Sequence, residues 1–247
     1  MSDLLSDLIE AHGGQSQWNK IAHVKTSTSI RGGLWTRKGW SDALIDTQVS
    51  IETKRQVTTY TPFVEQGQAS FFTPERVAIL SNERVVQERA NPREAFNGHS
   101  VPTPWDLLHL AYFSGYAIWN YLTAPFIFAY PGISHEEIEP WIDGNTCYRR
   151  LKVTFPDSFA THCPVQTFYV GPDDLLARMD YEAAVTGGLP TAHFMSEYKR
   201  FNGVMVPTRR RALLRRPDGT IDTDKVAVAI DLRDVAFSSV KPPSRRL

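Results

Sequence analysis

Leu107 to Ser134 reads LLHLAYFSGYAIWNYLTAPFIFAYPGIS, 28 residues without a Lys, Arg, Asp or Glu. Eight of its side chains are aromatic: Tyr112, Phe113, Tyr116, Trp119, Tyr121, Phe126, Phe128 and Tyr130. Its only group that titrates near neutral pH is His109. Three placements accommodate such a stretch: a membrane span, the core helix of a water-soluble domain, or the lining of an apolar pocket. Its length suits a span, since about 20 apolar residues cross a bilayer. Against a span stand His109, Ser114, Asn120 and the tyrosine hydroxyls, and the missing Lys and Arg flanks. Pro125 is incompatible with an undisturbed helix interior. The spacing predicts a helix over 104–122, with Pro104 and Asp106 in its first turn, then a break. An extended or helical segment then runs to Pro131-Gly132. Leu108, Tyr112, Tyr116 and Trp119 recur at i, i+4, i+8 and i+11, on one helical face. Leu, Ile and Val would fill a core more simply, whereas ligand pockets are mostly apolar and aromatic with a few placed polar groups. Core and pocket lining both remain open.

The flanks have a different period. From Val24, VKTSTSIRGGLWTRKGW, DTQVSIETKRQVTTYTPF, QASFFTPERVAIL and ERVVQERA read as strands rich in Thr, Val, Ile and aromatics. NPREAFNGHSVPTP is a loop. After the aromatic stretch come NTCYRRLKVTFP, PVQTFYVGP, LLARMDYEAAV, AHFMSEYKRFNG, VMVPTRRRALLRRPDG and KVAVAIDLRDVAF, joined by short turns. Phe201-Asn202-Gly203-Val204 and Arg216-Pro217-Asp218-Gly219 are hairpin signals. In the last strand Val226, Val228, Ile230 and Leu232 alternate with Ala227, Ala229, Asp231 and Arg233, which predicts one covered face. We therefore read one domain over 1–247, mainly β (α+β). Its N-terminal helices lie in 1–22, first strands in 23–90, aromatic plug in 104–131 and strand meander in 145–238. The tail KPPSRRL is expected to fray. About ten antiparallel strands tend to curl, so the sheet is expected to form an unclosed barrel around the central, charge-free helix.

This layout resembles the LolA/LolB-like superfamily, the lipoprotein carriers and their relatives. Asn202-Gly203-Val204-Met205-Val206-Pro207-Thr208 matches the "v-G-v-x-v-P-t" turn that leads into the closing strands of such proteins. The opening AHGGQSQWNKIAHVKT is similar to that of bacterial proteins placed near the group. The resemblance implies an unclosed barrel around a hydrophobic cavity with helices as its lid, and no catalytic residues. This chain departs from the carriers in showing neither an export signal nor a lipid-anchor cysteine. The expected location is the cytoplasm, with Cys147 and Cys163 reduced.

Basic and acidic residues balance at 27 each, so no global charge draws the chain to nucleic acid or to an anionic membrane. The seven histidines show no H-x-x-x-H or H-E-x-x-H spacing, and no metal site is expected. Nucleotide-binding, flavin and serine-hydrolase motifs are missing, and no cofactor is expected. Candidate ligand-binding residues are Leu108, His109, Tyr112, Tyr116 and Trp119, with Arg150 as a polar contact. Candidate acid–base residues are His109, His162 and His193. Strand alternation sets His193 on one face with Glu197. The arginines of the C-terminal hairpin, Arg209, Arg210, Arg211, Arg215 and Arg216, either bind a carboxylate or phosphate at a cavity mouth or pair across strands with Glu182, Glu197 and Asp231.

Three functions fit these residues. The first is binding or carrying a hydrophobic small molecule or lipid. The second is a cofactor-independent enzyme acting on an apolar substrate through a histidine. The third is an interaction module whose aromatic helix meets a partner or a membrane surface. A histidine beside a tyrosine or carboxylate in an enclosed cavity would favour the second. An exposed apolar helix face would favour the third.

Overall fold

The computed structural model describes residues 3–239; the Lys241–Leu247 tail lies outside the described residues. Helix α1 (Leu4–Ala11) buries Leu4, Leu5, Leu8 and Ile9, the apolar face that its sequence spacing marks. Just past its end, a Cβ on Gly13 would come 2.4 Å from the Gly203 carbonyl oxygen. The hairpin turn at Asn202-Gly203 is seated against α1 through this close approach. Helix α2 (Gln15–Trp18) buries Trp18, which stacks on Phe126 at 4.4 Å between ring centres.

Strand β1 (Ile21–Arg31) runs into a short helix, α3 (Gly33–Lys38), and not into further strand. The expected strand over 24–40 is thus cut at Arg31. Leu34 and Trp35 are both buried, a face that a helical turn can supply and a half-exposed strand cannot. Lys38 ends the helix with its ammonium donating to the Ser100 and Thr103 carbonyls at 2.8 and 2.9 Å, above the Trp105 ring. Burial lowers its pKa to about 8.

The first group of strands continues as β2 (Leu44–Glu52), β3 (Val57–Thr61), β4 (Gln68–Phe72), β5 (Arg76–Ser81) and β6 (Arg84–Ala90). Helix α4 (Leu107–Thr123) follows, then a 3-10 turn at Phe126–Ala129. The second group is β7 (Ser134–Asp143), β8 (Thr146–Thr154), β9 (Val165–Val170), β10 (Leu176–Ala183), β11 (Leu189–Phe201), β12 (Val204–Arg215) and β13 (Ile221–Ser239). All are antiparallel in one sheet, ordered β6-β5-β4-β3-β2-β1-β13-β12-β11-β10-β9-β8-β7. The described residues thus form thirteen strands, where about ten were expected. The surplus includes β7, which lies between the expected plug and the expected meander. Its residues are mostly exposed and four of the ten are acidic, so it carries no apolar period.

The first and last strands meet in the middle, β1 on β13, so β6 and β7 are free edges and the barrel does not close. Charge protects both edges. Arg76 and Arg89 pair with Glu88 and Asp106 at one, and Lys152 and Arg149 with Glu136 and Glu137 at the other. Register shifts interrupt β1–β13, β1–β2, β12–β13 and β7–β8, and such bulges add the bend that wraps a sheet around a helix. The shift that skips Ala227 also breaks the expected alternation. Ile230 and Leu232 are buried, whereas Val226 is exposed.

Helix α4 starts at Leu107, with Asp106 as its N-cap, and not at 104. The Asp106 carboxylate accepts from the His109 N–H at 2.8 Å, and the Asp106 N–H reaches His109 Nδ1 at 3.2 Å. This reciprocal cap satisfies amides that the first helical turn leaves free. From Leu108 to Thr123 every residue is buried. A helix apolar on all sides belongs inside a core, and among the described residues no helix is long and apolar enough to cross a membrane.

Candidate functional site

Helix α4 is locked onto the first half of the sheet. Thr58 Oγ1 donates to the Gly115 carbonyl at 3.0 Å, and Tyr60 Oη to that of Ser114 at 3.2 Å. Trp119 Nε1 donates to the Glu52 and Arg55 carbonyls at 2.6 and 2.8 Å. Tyr112 packs edge-on against Phe72 and Tyr116. The aromatic stretch therefore fills the sheet. The enclosed spaces left beside it measure about 20 Å³, between Tyr60, Trp35 and Tyr121, and about 10 Å³, between Tyr121, Phe128 and Arg210. Each has room for about one water.

On its other side α4 meets a buried Tyr–His cluster. His162 Nδ1 lies 3.1 Å from Tyr116 Oη and Nε2 lies 2.7 Å from Tyr121 Oη. Tyr181 stacks on the imidazole at 4.0 Å. Each His162 nitrogen thus has a tyrosine hydroxyl as its hydrogen-bond partner. Burial, and secondarily the Arg93 charge, lowers the His162 pKa to about 3, so the ring is neutral. Burial also raises the tyrosines, Tyr121 to about 12. This is the His–Tyr contact that acid–base chemistry needs. Yet both ring nitrogens are occupied, and His162 lines neither enclosed space.

The other candidates are dispersed. His109 closes the α4 cap and turns Nε2 to the Ala95 carbonyl at 3.1 Å. Leu108 is core. His193 is buried against Tyr121, and neither of its nitrogens has a partner. Burial, with the Arg210 charge, holds it well below the ordinary histidine range. Glu197 does not join His193. It sits at φ 54°, outside the ladder pairs that flank it, Ser196–Arg209 and Tyr198–Pro207, and pairs with Arg209. Arg150 lies on the face opposite buried Leu151 and Val153, with Nε donating to the Glu139 carbonyl at 2.6 Å.

Space large enough for a ligand lies along the open seam, where the two ends of the sheet approach α4. Two pockets of about 500 and 350 Å³ share Pro74, Glu75 and Phe159. Tyr112 lines the first, and Trp119 and Tyr130 the second. Arg93, Glu94 and Asp157 border one, and Lys54 and Arg55 the other. The segment 155–161 separates this groove from the enclosed space at Arg210. Side chains hold that segment: Gln56 exchanges two hydrogen bonds with Ala160, Asn120 donates to the Ala160 carbonyl, and Arg93 to that of Thr161. A third pocket of about 470 Å³ lies outside α3, between Leu34, Leu214 and Val226.

Of the arginine cluster, Arg209, Arg211 and Arg215 pair with Glu197, Asp231, Asp180 and Glu182 on the outer face, as cross-strand pairing predicts. Arg210 alone turns inward. Strict alternation between Arg209 and Arg211 was the signal for it, and reading the five arginines as one cluster concealed it. Phe159 and Gln56 had no such signal, because only the fold brings them to α4. Cys147 and Cys163 are free thiols, and no metal-binding group of three or more side chains occurs among the described residues.

No family model and no curated protein sequence matches the chain. Solved structures do. A LolA superfamily protein from Nitrosomonas europaea aligns with a TM-score of 0.52 at 11% identity, covering 97% of this chain and 96% of its own. A domain described as an outer membrane lipoprotein-sorting protein, from Vibrio parahaemolyticus, gives 0.53 at 7% identity, covering 97% and 93%. The chain has the LolA-like fold.

Proposed function

We propose that the protein binds and carries a hydrophobic small molecule or lipid, taken up in the seam groove beside α4. The groove carries this reading: two adjoining pockets of about 500 and 350 Å³, walled by Tyr112, Trp119, Tyr130 and Phe159 and rimmed by charged side chains. Ligand sites commonly have such volumes, with aromatic walls and a few polar groups at the edge. Burial of apolar surface drives binding by about 25 cal/mol per Å² before the costs of association. The LolA-like fold is consistent with this use, and one structural neighbour is described as a lipoprotein-sorting protein. The interaction-module reading loses its surface, because α4 is buried from Leu108 to Thr123.

The test is titration with N-phenyl-1-naphthylamine, a neutral apolar fluorophore. Saturable binding that long-chain lipids displace is expected. Phe159→Ala, which opens the wall shared by both pockets, weakens it roughly tenfold, the effect of losing about 1.4 kcal/mol of contact. Absence of saturable binding, or equal affinity in Phe159→Ala, rejects the groove as the site.

A further inference from the structure

Arg210 is 2% exposed, and its guanidinium lies 4.8 Å above the centre of the Tyr121 ring. Nη2 donates to the Tyr121 carbonyl at 2.8 Å, in the last turn of α4, where the helix dipole is negative. That contact uses one donor. Nε and Nη1 have no partner, and among the described residues no carboxylate pairs with Arg210. A buried cation without a counter-charge is expensive to hold. His193, 1% exposed and adjoining the same Tyr121 ring, also has both nitrogens free of partners. The rest of the space that Arg210 lines is mainly apolar, with Phe128, Phe155, Phe168, Leu176 and the flexible Met179 and Met195, and the polar side chains of Asn120, Thr161 and Gln166 also border it. One end is cationic and most of the remainder greasy, which is the layout of an amphiphile.

We infer that Arg210 is the headgroup site for an apolar chain ending in a carboxylate. The tail lies along Phe128, Phe155 and Phe168 and comes in from the seam groove past segment 155–161. Fixed charge selects the head. The site offers one guanidinium, and His193 is neutral there, so a monoanion balances it and a phosphate dianion does not. The enclosed space of about 10 Å³ must widen to admit the ligand, and the two methionines and the side-chain-held segment 155–161 are the parts able to yield. This inference rests on the carrier reading and adds the chemical class of the cargo.

The experiment uses the full-length, delipidated protein at pH 8, with displacement of N-phenyl-1-naphthylamine by dodecanoate, 1-dodecanol and dodecyl phosphate. Dodecanoate is expected to bind about tenfold or more tighter than the alcohol, as a charge-assisted pair to a desolvated guanidinium does. Dodecyl phosphate falls between them. Arg210→Met keeps the alcohol affinity within about threefold and loses the preference for the acid, while Arg210→Lys retains part of it. Equal affinity for acid and alcohol in the unaltered protein overturns the headgroup site and leaves the carrier reading standing. Tighter binding of the phosphate overturns the carboxylate assignment. If none of the three binds, both readings fall. The ligand series on the unaltered protein decides the matter even if a variant does not fold.

Discussion

Gly115 is where α4 comes closest to the sheet. A Cβ there would lie 2.6 Å from both Cβ and Cγ of Phe72. In an exposed helix, Gly→Ala stabilises by about 1 kcal/mol. Here the methyl would overlap a buried ring, and overpacking costs about 1–3 kcal/mol. The helix cannot retreat freely, since the Thr58 and Tyr60 hydroxyls hold the Gly115 and Ser114 carbonyls, each bond worth about 1 kcal/mol. Gly115→Ala is therefore expected to lose about 2 kcal/mol net, which lowers Tm by roughly 4–8 °C for a chain of this size. Urea unfolding followed by tryptophan fluorescence reads the free energy, and calorimetry the Tm. In a Phe72→Ala background the clash is gone, and the same substitution should become neutral or stabilising. The coupling is then about 2–3 kcal/mol. A Gly115→Ala protein as stable as the parent, or more stable, would refute the placement of α4 against β4.

Four further outcomes follow from the geometry. His12 and His162 are held neutral, with pKa values lowered to about 4 and about 3; below pH 6.5 the unfolded chain binds more protons, so stability is full above that pH. It falls as pH drops through 6.5 toward those values, by about 2 kcal/mol per histidine at pH 5, and urea midpoints at pH 7.5 and 5 measure the loss. Arg210→Met removes a buried unpaired charge at similar volume, and its unfolding free energy should lie within about 1 kcal/mol of the parent or above it. Gln56→Ala deletes both clamps on Ala160, and hydrogen exchange should quicken at Phe159–Thr161 while the sheet ladders stay protected. Trp119→Phe leaves the Glu52 and Arg55 carbonyls without their indole donor, a loss of about 1–3 kcal/mol in chemical unfolding.

Local chemistry explains which parts of this fold are legible in the sequence. The Asn202-Gly203 turn and the Pro125 break are short-range effects of backbone preference, and both fall where the residues place them. The burial of Leu108–Thr123 follows from its lack of charge. Strand β7 escaped because an edge strand needs no apolar alternation, and α3 because a helix of six residues shows no period. The candidate site was less legible. Glu197 was assigned to the face of His193 by strict strand alternation, which its left-handed backbone at φ 54° interrupts. Arg150 was chosen for its charge, and its outward face is fixed by Leu151 and Val153 beside it. Arg210 differs from its neighbours only in parity, and its isolation becomes visible once the partners of Arg209 and Arg211 are known. The groove walls at Pro74, Tyr130 and Phe159 come from three separate parts of the chain and have no sequence pattern in common.

Carriage of an apolar cargo is the central claim, and the protein as purified from cells tests it most directly. Native mass spectrometry of the full-length chain, followed by solvent extraction and analysis of the released material, should reveal a small apolar compound bound one to one. Failing that, it should reveal one-to-one uptake from a panel of fatty acids, isoprenoids and aromatics. A chain that emerges empty and takes up no member of the panel would contradict the account.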